Sequence, residues 1–547
     1  MTARRQENVE RVERVERIEE EFSCKGWIYP LNTLKTVLYC WHFNGENMKH
    51  LWTISAFTSI ICAALQAAPA LVDTSDNRVE TPLKVPFKYL GTIRPRAASE
   101  IKDSNWTIGC EGLDRDFDDF TKFRDYLEPL GIKTIRLQAG WAKTEQIKGQ
   151  LDFTWLDEIV NYAVDHGLNV LLETDYGNPV YGEGGGGMLL GAAFPSSPEA
   201  WAAWDHWVDE LSKRYKGKVR DWAMWNEPDV GIRYMPDGTR KSLTKDERKK
   251  PEEIAAQNVR TARIIKRNIP DARIGALSLA QNNAEFLEAC LKAMGDDVKL
   301  FTWIIYHGYI WNPDLSYVEV EKQKALIQKY NPDCKMRQGE NGCPSGWVAS
   351  SALAKYPWSE YSQAKWDMRR MLGDLGHDVE SSVFTMMGGG ENKSLTRRAK
   401  DKSVVDLKIA YYAVQNVASV FDCTLKRRPK GITISTNDQT IAMYEYRKPG
   451  KDGASVYVFW DHGDLSTYHA KTNRLCPSDS FETRPAVFTL RRALKDPVWV
   501  DMMTGKVYEF PQKNIVKFAD NDWYIYKMVP VYDSPCLLTE RAVVLAP

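Results

Sequence analysis

Apolar, strand-like runs alternate with segments of helical period from about residue 100 to residue 420. In the intervening segments, such as Trp155–His166 and Trp366–Leu375, apolar residues recur on one helical face. Continuous apolar strands are typical of a parallel sheet that helices cover, and eight strand–helix units predict a (β/α)8 TIM barrel, an α/β fold, over residues 100–420. The eight predicted strands are Trp106–Cys110, Thr134–Leu137, Asn169–Thr174, Asp221–Trp225, Arg273–Leu277, Phe301–Tyr306, Lys335–Gly339 and Ser382–Met386.

The pattern changes after about residue 420. The helical period disappears, and short β-rich runs such as "ASVYVFW" and "PVWVDMM" follow one another between turn residues. This pattern predicts a C-terminal antiparallel β-sandwich over residues 421–547, whose aromatic side chains we expect to pack in its core. Residues 71–99 are interpreted as a lead-in segment before the barrel.

The N-terminal region has a different composition. Residues 1–47 include "NVERVERVERIEEE", where an apolar residue every third position drifts around a helix, so we expect a disordered or non-native extension. Residues 48–70 have a basic start, an apolar run and small residues at the end, which predicts an export signal that begins at Met48. The apolar run is shorter than the roughly 20 residues of a membrane span, so we expect a secreted or periplasmic protein without stable membrane insertion.

Composition narrows the class of partner. The 73 basic and 73 acidic residues balance, so no long-range field attracts nucleic acid. The 19 tryptophans and 25 tyrosines suit a ligand with apolar C–H faces and a rim of hydroxyls, as in an oligo- or polysaccharide. No cysteine pair has zinc-site spacing, and the glycines of "YGEGGGGMLLG" lack phosphate-binding spacing, so we predict neither a metal site nor a cofactor.

The ends of the predicted strands carry polar side chains. In a barrel of this type the reacting groups come from the C-terminal ends of the strands. In "WAMWNEPD" the two tryptophans anchor strand four and Pro228 ends it, which predicts that Glu227 stands at the mouth of the barrel. The strand-end residues are Arg136 and Trp141 after strand two, Glu173, Asp175 and Tyr176 after strand three, Asn226 and Glu227 after strand four, His307 and Tyr309 after strand six, and Glu340 after strand seven.

Glu227 and Glu340 form a candidate pair of catalytic carboxylates. Two carboxyl groups at one barrel mouth can take different roles, one ionised and one protonated at the same pH, when their surroundings push their pKa values apart. Three further acids, Glu173, Asp175 and Glu391, are alternatives that we expect to bind substrate hydroxyls or to be structural. Cys343 as a nucleophile is disfavoured because no His–Asn arrangement accompanies it.

The "WNEP" motif on strand four and the glutamate that closes strand seven resemble the retaining (β/α)8 glycoside hydrolases of clan A, most closely family 39 and its neighbours, with family 5 a looser match. The resemblance covers roughly residues 100–420. It implies that Glu227 is the general acid/base and Glu340 the nucleophile. Strand seven has "QGENGC" where the clan usually has a Thr-Glu or Ser-Glu pair, and "FTMMGGGENK" on strand eight lacks the tryptophan often found there.

The resemblance also implies substrate-binding roles for Asn226, Arg136, His307 and Tyr309, to which the strand-end positions add Asp175, Tyr176 and Trp141. Arg136 is expected beside Glu340, where its charge favours the ionised carboxylate, Tyr309 is expected to donate to the same group, and Asn226 to hold the sugar 2-hydroxyl. The full predicted set is Asn226, Arg136, His307, Tyr309, Asp175, Tyr176 and Trp141.

The sequence thus predicts a secreted retaining β-glycosidase that acts on a neutral glycan by double displacement. The expected type is exo-acting, like a β-xylosidase, β-galactosidase or β-glucosidase. An endo-acting β-glucanase or mannanase is the first alternative. The second is a non-catalytic glycan-binding protein on a barrel scaffold, for which loss of a catalytic carboxylate is expected, whereas both are present.

Overall fold

The structure, a computed structural model, describes residue 74 and most of the chain from residue 79 onward. The predicted extension 1–47, the predicted export signal 48–70 and Glu391 lie outside the described residues. Among the residues described, no helix has the length and apolar character needed to cross a membrane. The described residues are 74, 79–184, 192–234, 239–388, 392–428, 434–436, 438–450, 453–462, 468–469, 474–475, 479–518 and 522–545.

Eight parallel strands form a barrel, and each overlaps a strand predicted from the sequence. Neighbours in the sheet follow chain order, and a parallel bridge between Arg337 and Glu380 brings the last strand to the seventh. The predicted (β/α)8 fold is therefore confirmed. The strands are β1 (Trp106–Gly109), β2 (Thr134–Gln138), β3 (Asn169–Thr174), β4 (Asp221–Met224), β5 (Arg273–Leu279), β6 (Trp303–Tyr306), β7 (Lys335–Gln338) and β8 (Ser381–Val383).

A helix follows each strand and covers the outside of the barrel. The third begins at Ser197, whose hydroxyl accepts the Ala200 N–H at 3.1 Å, with Pro198 in the first turn, and it buries Trp204 and Trp207 against the sheet. The helices are α1 (Phe120–Phe123), α2 (Thr154–Asp165), α3 (Pro198–Arg214), α4 (Pro251–Asn268), α5 (Ala284–Met294), α6 (Tyr317–Tyr330), α7 (Glu360–Gly376) and α8 (Ile409–Val420).

The interior of the barrel is packed around Ile305 on β6. A Cβ atom at Gly275 would lie 2.2 Å from Cδ1 of Ile305, and one at Gly339 would lie 2.3 Å from its Cγ2. Glycine at these two positions therefore makes room for the isoleucine. Gly339 directly precedes Glu340, so this packing also fixes where β7 delivers that carboxylate.

The C-terminal region forms two antiparallel sheets, as predicted for a sandwich. Phe459 of the larger sheet and Phe488 of the smaller pack edge to face at 4.7 Å between ring centroids. The larger sheet contains, in spatial order, Tyr89–Thr92, Lys506–Glu509, Pro497–Asp501, Cys536–Glu540, Ser455–Asp461, Ile441–Arg447 and Lys426–Arg428, and the smaller contains Ile434–Ser435, Arg484–Leu490, Tyr524–Val531 and Ile515–Lys517.

The strand Tyr89–Thr92 belongs to the sandwich although it precedes the barrel in the chain. It pairs with Lys506–Glu509 at the edge of the larger sheet. Part of the lead-in segment, residues 71–99, is therefore a structural element of the C-terminal region.

A buried ion pair joins the barrel to the sandwich. Nζ of Lys365 on α7 lies 2.6 Å from Oδ1 of Asp533, and both side chains are fully buried. The indole N–H of Trp460 donates to Asp314 at 2.9 Å in the same interface. Charges buried in this way depend on each other, because either one alone carries the full cost of desolvation.

Candidate active site

The end of β4 is held by its two tryptophans. Trp222 and Trp225 are fully buried, and the Trp225 ring packs on Phe194 at 4.6 Å and on Trp204 at 5.7 Å between centroids. The backbone enters the left-handed region at Trp225 (φ 50°) and again at Glu227 (φ 46°). Such conformations are unfavourable for non-glycine residues, so the packing of the tryptophans sustains the turn that presents Glu227 at the barrel mouth.

A bulge on β5 fixes the backbone beside Glu227. Leu277 (φ 80°) and Ser278 (φ 37°) interrupt the pairing with β6, and the Leu277 N–H donates to Oδ1 of Asn258 at 2.8 Å. The Ser278 carbonyl accepts the Glu227 N–H at 3.0 Å, and its hydroxyl donates to Oε1 of Glu173 at 3.1 Å. One strained pair of residues thus positions two of the acids in the site.

Arg136 on β2 lies at the centre of the site and is fully buried. Its Nη1 donates to Oε2 of Glu340 and to Oε1 of Glu111, both at 2.7 Å. Its Nη2 donates to Oε2 of Glu173 at 2.6 Å and to Oδ1 of Asn226 at 2.8 Å. The planar guanidinium therefore sets the mutual positions of groups from four other strands.

The surroundings of Glu340 favour its ionised form. Burial raises the pKa of this carboxyl, but the charges of His307 and Arg136 and a 3.1 Å hydrogen bond from the Tyr309 hydroxyl outweigh burial and lower the pKa to about 2. Glu340 is therefore a carboxylate at neutral pH, which is the state required of a nucleophile.

Glu227 and Glu340 face each other across a short gap. One oxygen of each carboxyl group and one ring nitrogen of His307 lie within 4.8 Å of one another. Retaining glycosidases have carboxyl groups about 5–5.5 Å apart, whereas inverting enzymes need roughly 6.5–9.5 Å to admit a water molecule. The spacing in this site matches the retaining geometry.

The same three residues also form a donor set that a divalent cation could use. However, Arg136 already donates to Oε2 of Glu340, and the guanidinium charge opposes a cation at that position. Nδ1 of His307 lies 2.8 Å from Oε1 of Glu227 and 3.8 Å from Oε2 of Glu340. Both oxygens are acceptors, so this nitrogen carries a hydrogen and has no lone pair for a metal ion. The arrangement therefore fits a pair of catalytic carboxyl groups better than a metal site.

A cavity of about 620 Å³ opens beside the two glutamates. Its walls come from the loops after β4, β5, β6, β7 and β8, and they combine aliphatic, aromatic and charged side chains. Besides Glu227 and Glu340, the lining includes Val230, Ile232, Arg240, Asn282, Tyr309, Leu315, Glu319 and Lys393.

The other predicted site residues fall into two groups. The structure brings His307 to Glu227 and brings Tyr176 to the neighbouring Asn226, whose Nδ2 donates to the Tyr176 hydroxyl at 2.6 Å. Asp175 and Trp141 are fully buried and do not line the cavity described above. The Trp141 indole N–H donates to Glu145 at 2.7 Å, and its ring stacks on Tyr181 and Trp207.

Three residues of the site were not named in the sequence analysis. Glu111 follows β1 with only Cys110 between them, so the strand-end rule that selected the other acids applies to it as well. Asp229 stands two residues after Glu227, and its carboxylate accepts the Ala280 N–H at 2.7 Å, which ties the loops after β4 and β5 together. Ser278 acts through a bulge, which no periodicity in the sequence indicates.

The family model Glyco_hydro_42, described as beta-galactosidase, matches residues 118–182. No curated protein matches the sequence.

Solved structures of glycoside hydrolases are similar to the chain over most of its length. A family 39 glycoside hydrolase from Bacteroides cellulosilyticus WH2 has 14% sequence identity and a TM-score of 0.56, with 82% of this chain and 83% of that chain covered. A monomeric beta-xylosidase from Caulobacter crescentus CB15 has 13% identity and a TM-score of 0.51, with coverage of 83% and 97%. A GH30 endoxylanase from Clostridium papyrosolvens C71 has 12% identity and a TM-score of 0.51, with coverage of 84% and 98%. The family-model match agrees with the predicted enzyme class, and the resemblance of this chain to the clan A glycoside hydrolases is confirmed in its fold.

Proposed function

We propose that the protein is a retaining β-glycosidase with Glu340 as nucleophile and Glu227 as general acid/base. The observation that carries this proposal is the short gap between the two carboxyl groups, combined with the hydrogen bonds that Arg136 and Tyr309 donate to Glu340 and not to Glu227. A pair whose members have different partners is suited to two different roles.

The reaction proceeds in two displacements. The Glu340 carboxylate attacks the anomeric carbon as Glu227 gives its proton to the departing glycosidic oxygen, which leaves a glycosyl ester on Glu340. Water then attacks the same carbon, Glu227 takes a proton from that water, and the ester bond to Glu340 breaks. Each step inverts the anomeric configuration, so the product retains the original one.

Asn226 supports both steps. Its Oδ1 accepts from Arg136, and its Nδ2 donates one hydrogen to Tyr176. The second hydrogen on Nδ2 remains for the sugar 2-hydroxyl, a contact that strengthens in an oxocarbenium-like transition state.

The size of the cavity supports exo action on a short, neutral sugar chain. Pockets of roughly 300–1,000 Å³ hold one small ligand, and the cavity beside the glutamates falls within that range. The similar structures include both a beta-xylosidase and an endoxylanase, so endo action stays the alternative. Export, as part of this proposal, rests on the signal-like sequence of residues 48–70.

The test is a panel of 4-nitrophenyl β-glycosides and polysaccharides, followed by proton NMR of the first sugar released. Retention requires that the β-anomer appears before mutarotation produces the α-anomer. A ladder of oligosaccharides from a polysaccharide identifies endo action, and a single monosaccharide identifies exo action. Initial release of the α-anomer would contradict the double displacement, and no turnover of any substrate would favour the non-catalytic alternative.

A further inference from the structure

Glu111 contacts the same guanidinium nitrogen as the nucleophile. Nη1 of Arg136 lies 2.7 Å from Oε1 of Glu111 and 2.7 Å from Oε2 of Glu340. Two ionised carboxylates on one nitrogen repel each other and divide its charge between them. The protonation state of Glu111 therefore decides how much of the Arg136 charge acts on Glu340.

The hydroxyl of Thr385, just beyond β8, indicates where the proton lies. Its Oγ1 is 2.5 Å from the carbonyl oxygen of Gly109 and 3.1 Å from Oε2 of Glu111. A hydroxyl has one hydrogen and a carbonyl only accepts, so the shorter contact uses the Thr385 hydrogen. The hydroxyl oxygen then presents only lone pairs to Glu111, so that contact is a hydrogen bond only when Glu111 donates.

We propose that Glu111 is a positioning residue held as a neutral carboxylic acid, which donates to Thr385, accepts from Arg136 and leaves Glu340 as the only anion on Nη1. It thereby links β1, β2 and β8 around the nucleophile without competing for the positive charge. The effect on catalysis rests on the proposed function, whereas the location of the proton does not.

The environment of Glu111 agrees with a neutral group. Burial and the charge of Glu340 together raise the pKa of Glu111 to about 7, against the opposing effect of Arg136. The adjacent Cys110 thiol is also buried, with a pKa raised well above its ordinary value, so it adds no charge at neutral pH. Glu173 is held on the other guanidinium nitrogen, Nη2.

Gly109 provides the space that the Glu111 carboxyl occupies. A Cβ atom at Gly109 would lie 2.2 Å from Oε2 and 2.6 Å from Oε1 of Glu111. Because the carboxyl is the end of a flexible side chain, Gly109→Ala is expected to displace it without unfolding β1. This substitution moves the carboxyl group and leaves Glu111 itself unchanged.

The kinetic experiment compares Glu111→Gln with Glu111→Ala. A glutamine accepts from Arg136 and donates to Thr385 as the neutral acid does, so it should keep kcat/KM at pH 6. Alanine removes both contacts, although Nη1 of Arg136 keeps its bond to Glu340 and Thr385 keeps its bond to Gly109, and it should lower kcat/KM by about 10-fold or more. Equal losses in the two variants would overturn the proposal.

The pH profile separates positioning from a purely structural role. A 2,4-dinitrophenyl β-glycoside needs no proton from Glu227, so the fall of its kcat/KM at high pH reports on other groups. In the wild type this fall should begin as Glu111 ionises, near its pKa of about 7, and in Glu111→Gln it should move to higher pH. Superimposable pH profiles of wild type and Glu111→Gln would contradict the proposal that Glu111 is a neutral acid.

Two readouts complete the test. The infrared difference spectrum of wild type minus Glu111→Gln, at pH 6, should contain the carbonyl stretch of a protonated carboxylic acid, and an ionised carboxylate band in its place would refute the proposal even in an inactive protein.

Gly109→Ala should reproduce the kinetic loss of Glu111→Ala, whereas Gly346→Ala, where the nearest atom would be 3.5 Å from the new Cβ, should not. Wild-type kinetics in Gly109→Ala would contradict the positioning role.

Discussion

Nδ1 of His307 lies 2.8 Å from Oε1 of Glu227. The ring is fully buried, so this contact is made without competition from water. Because carboxylate oxygens accept hydrogen bonds, the imidazole donates from Nδ1 and orients one oxygen of Glu227. In the proposed mechanism, the other oxygen of Glu227 is the one that exchanges a proton with the substrate.

This contact predicts a pH-dependent contribution of His307 to stability. Burial opposes protonation of the ring, but the charges of Glu340 and Glu227 outweigh burial and raise the pKa of His307 above its ordinary value. A raised pKa contributes stability that is complete below the unfolded-state pKa of about 6.5 and is lost as pH rises through the folded-state pKa. Thermal unfolding from pH 5 to pH 9 should therefore show the advantage of wild type over His307→Gln shrinking above pH 6.5. Parallel curves for the two proteins would contradict the raised pKa.

Tyr309→Phe should weaken, without abolishing, the stabilisation of the ionised Glu340 carboxylate. The substitution deletes the 3.1 Å hydrogen bond to Oε1 of Glu340, one of the contacts that lower the pKa of that carboxyl. A hydrogen bond to a charged group contributes about 1.5 kcal/mol or more, so kcat/KM should fall by about 10-fold and its acidic limb should move upward. Tyr361→Phe, which removes a hydroxyl that donates to Glu80 instead, is the matched control. An unchanged acidic limb would show that Tyr309 does not act on Glu340.

Glu227→Ala and Glu340→Gly should fail in different ways. Without Glu227, a reactive aryl glycoside still forms the glycosyl ester, but no base activates water, so added azide should restart turnover and give a β-glycosyl azide. Without Glu340, azide occupies the vacated space and attacks from the opposite face, which should give the α-azide. NMR of the two products checks the roles, and exchanged configurations would reverse them.

Asp533→Ala should destabilise the whole described unit rather than the sandwich alone. It removes the carboxylate 2.6 Å from the buried ammonium of Lys365, and breaking a buried pair costs about 3–5 kcal/mol. The double variant Lys365→Met/Asp533→Leu, which removes both charges, should recover much of that loss. Chemical denaturation followed by tryptophan fluorescence measures both effects, and equal stability of the single and double variants would contradict the coupling.

The pattern of apolar and polar residues along the chain was enough to predict the barrel strands and the positions of most residues around Glu227 and Glu340. Each barrel strand overlaps a predicted one because apolar runs such as Asn169–Thr174 are continuous and end in recognisable turns. Glu227 and Glu340 could be paired because the C-terminal ends of all barrel strands meet at the same face of the barrel. Contacts between distant segments were not accessible in this way: Thr385 meets Glu111 across β8 and β1, and nothing near either residue in sequence indicates it.

Trp141 shows the opposite limitation. Its position after β2 suggested a sugar-binding ring, yet the side chain packs between Tyr181 and Trp207 in the core. Sequence places an aromatic residue near a strand end, but the direction of its ring depends on which neighbouring helices offer a partner. Here α3 supplies that partner.

The strand Tyr89–Thr92 has a consequence for how the chain is made. It leaves the ribosome before the barrel, yet its hydrogen-bonding partner, Lys506–Glu509, is synthesised only after the barrel is complete. During that interval its unpaired edge can recruit a strand from another chain, which is a route to aggregation.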